Sequence, residues 1–169
     1  SGVLIYGNVF HHCATGRRGF GGVQIHGGKD NIIDNNIFAR CRSAISFSSW
    51  KPDRWTAFVG DRLDAPAIAK TLYLRRYPDL ARLTEEPNVN TVSRNIVFQC
   101  GQFLRRDSGK TRLTDNLEAT DDPGFGDADR GVFRLGDDAP VLETIGFRPI
   151  PFDELGLYRD ACRPVLPAR

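Results

Sequence analysis

The sequence predicts an all-β fold, a right-handed parallel β-helix with about 22 residues per coil, and three observations carry that expectation. The first is a recurring segment. VLIYGNVFHHC (3–13), NIIDNNIFARC (31–41) and NTVSRNIVFQC (90–100) share Asn at the sixth place, a β-branched residue after it and Cys at the eleventh. TRLTDNL supplies a weaker fourth copy around Asn116. The second observation is spacing. Asn95 to Asn116 is 21 residues and Val23 to Ile45 is 22, one coil each. Asn8 to Asn36 is 28 and Asn36 to Asn95 is 59, and the excesses of 6 and 37 residues fall on two non-repetitive stretches. The third is texture: short β-branched runs broken by Gly and Asn, as flat walls and sharp corners require.

Stacked coils sit about 4.8 Å apart, so a repeated position becomes a column. A column of Asn at a corner can bond up and down the stack and satisfy backbone groups that the sheets miss. Ile, Val and Phe columns fill the interior. Cys13, Cys41 and Cys100 read as small buried hydrophobes, with an inter-coil disulfide geometrically open. No CxxC pair or Cys/His cluster is present, so no metal site is predicted.

The 169 residues make one domain's worth of chain. A net charge of +2 gives no argument for nucleic acid, and no basic cluster interleaves with aromatics. No run of 18 apolar residues exists to span a membrane. The chain is already inside a coil by Val3, so it reads as the C-terminal part of a longer β-helix whose upstream coils are its neighbours. The boundaries expected are coils over 1–120, a loop insertion at 14–22, a helical lid at 50–88 and a capping tail over 121–169.

Within the coils, Val23 and Ile25 point inward, as do Ile45 and Phe47 one coil later. Gln24, His26, Ser46, Ser48, Arg105 and Asp107 then form a polar outer wall. The first insertion enters before this wall and carries Arg17 and Arg18; the second leaves after it. Two loops flanking one polar wall make a groove, and long loops on a rigid scaffold carry function. The second insertion holds both tryptophans, Trp50 and Trp55, which either stack on sugar rings or anchor the lid. Its helical pattern is expected to begin at Asp64 as N-cap with Pro66 in the first turn, and to resume at Tyr77-Pro78-Asp79 through Leu80 and Leu83. The tail is turn-rich and expected to cover the open edge of the last coil; its Asp127 and Asp129 lack the Gly and Glu places of a calcium loop.

The run GGKDNIIDNNIF, the YPDL of the second insertion and the tail DPGF…FRL…GFRPIPFDELGLY together resemble bacterial right-handed parallel β-helix repeat proteins. The resemblance covers most of the chain. It implies the fold and its terminal tail, a secreted or cell-surface location, and a setting among polysaccharide-degrading enzymes, some of them similar to glycoside hydrolases or lyases. DDAP (137–140) stands where such proteins often read DSPA, which touches only a turn. No catalytic position is implied by it.

Three functions follow as expectations. The first is a glycoside hydrolase acting on a polysaccharide, which needs two carboxylates about 5 Å apart for retention or about 6.5–9.5 Å for inversion. Asp30 and Asp107 are the candidate pair, with His26 tuning one of them and Asp34 and Asp53 in reserve. The alternative reaction is a lyase on a uronate polymer, using Lys29, His26, Arg105 and the Arg17–Arg18 loop, with Ca²⁺ open as an added cation and otherwise no cofactor. Gln24, Lys29, Trp50, Arg105, Arg17 and Arg18 are the candidate substrate-binding residues. The second function is a non-catalytic polysaccharide-binding or adhesin-like solenoid. The third is a structural end domain.

Overall fold

The computed structural model describes the chain except for residues 17–18, 49, 65–71, 157–160, 163 and 166–169. Eleven short strands run through the repeats in order. The first turn of chain holds β1 (Leu4–Tyr6), β2 (Val9–His11) and β3 (Val23–Ile25), and the second holds β4 (Ile32–Asp34), β5 (Ile37–Ala39) and β6 (Ile45–Phe47). The third holds β7 (Thr91–Ser93), β8 (Ile96–Phe98) and β9 (Leu104–Arg105), and the fourth β10 (Arg112–Thr114) and β11 (Leu117–Ala119). They form three open sheets ordered β1-β4-β7-β10, β2-β5-β8-β11 and β3-β6-β9. Every pair in them is parallel. The chain visits the three sheets in rotation, a topology compatible with a parallel β solenoid.

The register follows the sequence repeats. Val9 lies opposite Ile37, Ile37 opposite Ile96, and Ile96 opposite Leu117, so the preceding Asn8, Asn36, Asn95 and Asn116 stack. The backbone N–H of Asn8 donates to Asn36 Oδ1, that of Asn36 to Asn95 Oδ1 and that of Asn95 to Asn116 Oδ1, each at 3.0 Å. The amide nitrogens of Asn36 and Asn95 also donate to carbonyls on the adjoining strand, Asn36 to Asp34 and Ile5, and Asn95 to Ser93 and Ile33. The residue before each of these asparagines, Gly7, Asn35, Arg94 and Asp115, has φ between 50° and 66°. A left-handed conformation costs a non-glycine residue about 1–2 kcal/mol. The ladder offsets that cost with hydrogen bonds to buried backbone donors and acceptors at the corner. A second ladder, not expected from the sequence, joins Val3 N–H to Asn31 Oδ1 and Asn31 N–H to Asn90 Oδ1.

Inside the coils, Ile33, Val92, Phe38, Val97, Ile45 and Phe47 form one buried cluster. Phe10 and Phe38 stack with ring centres 4.8 Å apart and 10° between planes. Cys13, Cys41 and Cys100 are free thiols. Hydrogen bonding to Cys100, together with burial, pushes the Cys41 thiol far above its ordinary range. It is a neutral packing group bonded to the Phe10 carbonyl at 3.2 Å. Register places Glu118 of the fourth turn at the interior position of Val97, where it is exposed because no third wall closes over it.

Two elements depart from expectation. The insertion turns helical at α1 (Pro52–Leu63), well before Asp64, which is the C-cap of that helix; the helix expected to start from it falls on residues 65–71, outside the described ones. Pro52 at the first position, Asp53 in the first turn and the buried pair Trp55 and Val59 four residues apart explain why the helix starts there. Pro66 and Ile68 lie outside the described residues. α2 (Leu72–Arg76) and a 3₁₀ turn (Pro78–Arg82) follow, the latter where a second short helix was expected.

The tail departs too. Its described residues lie along the outer flank of the second sheet. Its antiparallel pair β12 (Phe125–Asp127) and β13 (Val132–Leu135) and the short α3 (Pro140–Thr144) contribute Phe125, Phe133, Val141 and Ile145 to a second core. That core closes on Ile37, Ala39, Ile96 and Phe98, the outward side chains of β5 and β8. These strands are buried on both faces, so their outward residues are as apolar as their inward ones. Asn35 fastens the contact, donating to Arg148 O at 2.8 Å and accepting from Arg148 N–H at 2.7 Å. Leu113 in β10 stays 51% exposed.

His11 faces the same flank, edge-on to Phe133 at 4.9 Å. Among the described residues its Nε2 is the one buried side-chain nitrogen or oxygen without a hydrogen-bond partner. Burial, then the charges of His12 and Arg40, hold its pKa below the ordinary imidazole range. The unfolded chain therefore takes up this proton first, and stability should fall as pH drops through about 6.5, the free imidazole value. Urea midpoints of the wild type and of His11→Phe at pH 8 and pH 5.5 check this. The variant should lose less of its midpoint on acidification; equal losses would remove His11 as the cause.

Candidate functional site

The polar wall expected on the third sheet exists, but the loop after Cys13 covers part of it. Ser46 is only 2% exposed. Its hydroxyl accepts from Gly21 N–H at 2.6 Å and donates to Gln24 Oε1. Gln24 also donates to Ser48 Oγ at 3.0 Å. Arg105 reaches back across the wall to donate to Gly19 O at 2.7 Å. The loop after Cys13 thus lies against the wall, and a Cβ on Gly21 would come within 2.8 Å of Ser46 N, so this close approach requires glycine there. Ser46 and Arg105 hold this loop down, and Gln24 orients the Ser46 hydroxyl. Arg17 and Arg18 lie outside the described residues.

Asp107 closes its own turn. It accepts from Thr111 Oγ1 at 2.5 Å and from Gly109 N–H at 3.1 Å. The structure does not bring it into one cleft with Asp30, its expected partner. Of the reserve carboxylates, Asp53 is exposed in the first turn of α1. Asp34 is buried, and burial pushes its carboxyl up; the hydrogen bonds from Arg94 and Ser93 outweigh this and hold it below the usual carboxylate range. It is a neutralised structural anion.

The insertion creates two cavities instead of one groove. The larger, about 820 Å³, opens between its second half and the coil corners before the first sheet. Asp30, Tyr73, Tyr77, Asp79, Glu86 and Arg112 are among its lining residues. Tyr73 and Tyr77 sit one helical turn apart, with ring centres 5.1 Å apart and exposures of 52% and 47%. Lys29, 4% exposed, places its ammonium 3.6 Å from Asp30 and donates to Glu85 O at 2.7 Å and Arg82 O at 3.4 Å. It stitches the insertion to the second coil while steadying Asp30 at the rim.

The smaller cavity, about 380 Å³, lies at the insertion's start and is lined by His26, Phe47, Ser48, Trp50, Arg54 and Arg106. Trp55 is the anchor of the lid: it is buried and donates its indole N–H to Leu83 O at 2.6 Å. Trp50 is half-buried, edge-on to Phe58 at 5.2 Å and to His26 at 6.1 Å. The two tryptophans thus divide the anchoring and surface roles between them. His26 and Trp50 meet, Lys29 and Asp30 meet, and these two pairs face different cavities.

The residues that sequence reasoning missed are Tyr73, Tyr77, Asp79, Glu86 and Arg112. The spacing of four between the tyrosines was the available signal, since it places both on one helix face. Asp127 and Asp129 act locally: Asp127 accepts from Arg130 N–H, and Asp129 pairs with Arg40. Among the described residues no group of three or more His, Cys, Asp or Glu is placed to hold a metal ion, and no helix is long and apolar enough to cross a membrane.

Fold and site together define a chain of stacked parallel sheets that carries an aromatic, carboxylate-lined cleft under a helical insertion. No protein-family model matches this chain, and neither a curated protein nor a solved structure matches it.

Proposed function

We propose that this chain is a right-handed parallel β-helix, similar to the bacterial β-helix repeat proteins, and that it binds a polysaccharide in the larger cleft. The observation that carries the reading is the pairing of exposed Tyr73 and Tyr77 with Asp30, Asp79 and Glu86 in one cavity of about 820 Å³. Aromatic faces take the C–H faces of sugar rings, and carboxylates accept from their hydroxyls; a cleft of this volume is of ligand-binding size. A secreted or cell-surface location fits this role.

Hydrolysis of the same polymer is the second reading, favoured by three carboxylates lining one cleft. Binding stands ahead of it because a general acid needs a desolvated carboxyl, and Asp34, the one buried acid among the described residues, is neutralised by Arg94. Lyase chemistry has less support, since Lys29 and Arg105 hold backbone carbonyls.

The test is incubation with neutral and uronate-containing polysaccharides, following binding, reducing ends and the ultraviolet absorbance of unsaturated products. Retained binding without new reducing ends is expected, with affinity reduced about 10-fold or more in Tyr77→Ala, as for loss of one stacked ring of ~1–2 kcal/mol. Reducing ends without unsaturated product would move the conclusion to a hydrolase. No binding to any polysaccharide would overturn the reading.

A further inference from the structure

The two cavities differ in charge. The larger is lined by acids as well as bases, whereas the smaller has Arg54, Arg106 and His26 and no acid among its lining residues. The Arg54 guanidinium lies 4.3 Å over the Trp50 ring, a cation–π contact that positions it at the cavity. With described residues, neither Arg54 nor Arg106 forms an ion pair. Two guanidinium groups converging on a cavity of about 380 Å³ without a counter-charge make a site for an anion, and their planar forks match an oxyanion with two equivalent oxygens. The exposed part of Trp50 gives the cavity an apolar wall, which inorganic ions do not use and a sugar ring does.

We propose that this cavity binds the anionic group of an acidic saccharide, a carboxylate or a sulfate ester. The proposal rests on the polysaccharide reading above and narrows it. Asp30 is four positions after His26 on the link from β3 to β4, a reach of at most ~14 Å, so one oligosaccharide a few units long touches both cavities. The neutral rings lie on the tyrosine face and the charged substituent enters the arginine cavity.

The chain's two tryptophans, Trp50 in this cavity and Trp55 beside it, give the readout. Fluorescence is titrated with trigalacturonate, a sulfated trisaccharide, a neutral trisaccharide and sodium sulfate, at low and at moderate ionic strength. The acidic sugars should bind at least 10-fold more tightly than the neutral one, and less so as salt rises. Arg54→Gln and Arg106→Gln should each weaken the acidic sugars about 10-fold and leave the neutral one unchanged, with unfolding midpoints confirming an intact fold. Which acidic probe is preferred assigns the group as carboxylate or sulfate. Equal binding of acidic and neutral sugars, untouched by both variants, would overturn this proposal and leave the polysaccharide reading standing. Binding of sulfate alone, with no saccharide of any kind, would overturn both.

Discussion

Replacing Asn95 by alanine should destabilise the protein by about 4 kcal/mol, because several buried groups at one corner lose their partners together. Asn95 is fully buried. Its Oδ1 accepts from both the backbone and the side-chain nitrogen of Asn36 at 3.0 Å. Its amide nitrogen donates to Ser93 O at 2.8 Å and Ile33 O at 2.9 Å. It also donates to Asn116 Oδ1 at 2.9 Å, and alanine removes all five bonds. Asn8, at the exposed end of the same ladder, is the comparison: Asn8→Ala should cost under ~1 kcal/mol, since water reaches the groups it frees. Urea unfolding of both variants measures the difference. Similar small losses would mean that the ladder follows the corner geometry and does not hold it.

Phe38→Ala should cost a comparable ~3–5 kcal/mol, through a cavity and not through orphaned polar groups. The ring is fully buried, stacked on Phe10, and so tightly confined that a Cβ added at Gly22 would come within 3.2 Å of it. Phe38→Leu should cost under ~1.5 kcal/mol, since a branched aliphatic fills most of the volume. Lys29 and Asp30 lie on the link from β3 into β4 of the same coil, so the alanine variant should loosen the insertion's attachment as well as the core. An alanine variant as stable as the leucine one would show that the interior collapses around the void, contrary to a close-packed stack.

Much of the scaffold was legible in the sequence because a stacked repeat writes its register into spacing. Asn8, Asn36, Asn95 and Asn116 align by count alone, and the bonds between them follow. The second ladder through Asn31 and Asn90 was present in the same aligned segments, at their first place. The site was less legible for physical reasons. Alternation correctly turned Gln24, Ser46 and Arg105 away from the interior, but outward does not mean open, and the loop after Cys13 lies over them. Lys29 reads in the sequence as a substrate-binding cation; its burial depends on the carbonyls of Arg82 and Glu85, more than fifty residues away. The tail's place on the flank was written in Ile37, Ala39, Ile96 and Phe98, apolar at positions that a solvent-facing wall would fill with polar residues. Tyr73 and Tyr77 became a platform only once the insertion folded against the coil corners.

The measurement that tests the central claim most directly is backbone hydrogen exchange with and without a bound oligosaccharide. The account predicts added protection in residues 72–86 and at Lys29–Asp30, where the larger cleft closes on its ligand. Protection confined to the third sheet, around Gln24 and Ser46, or no change anywhere on addition of saturating sugar, would contradict it.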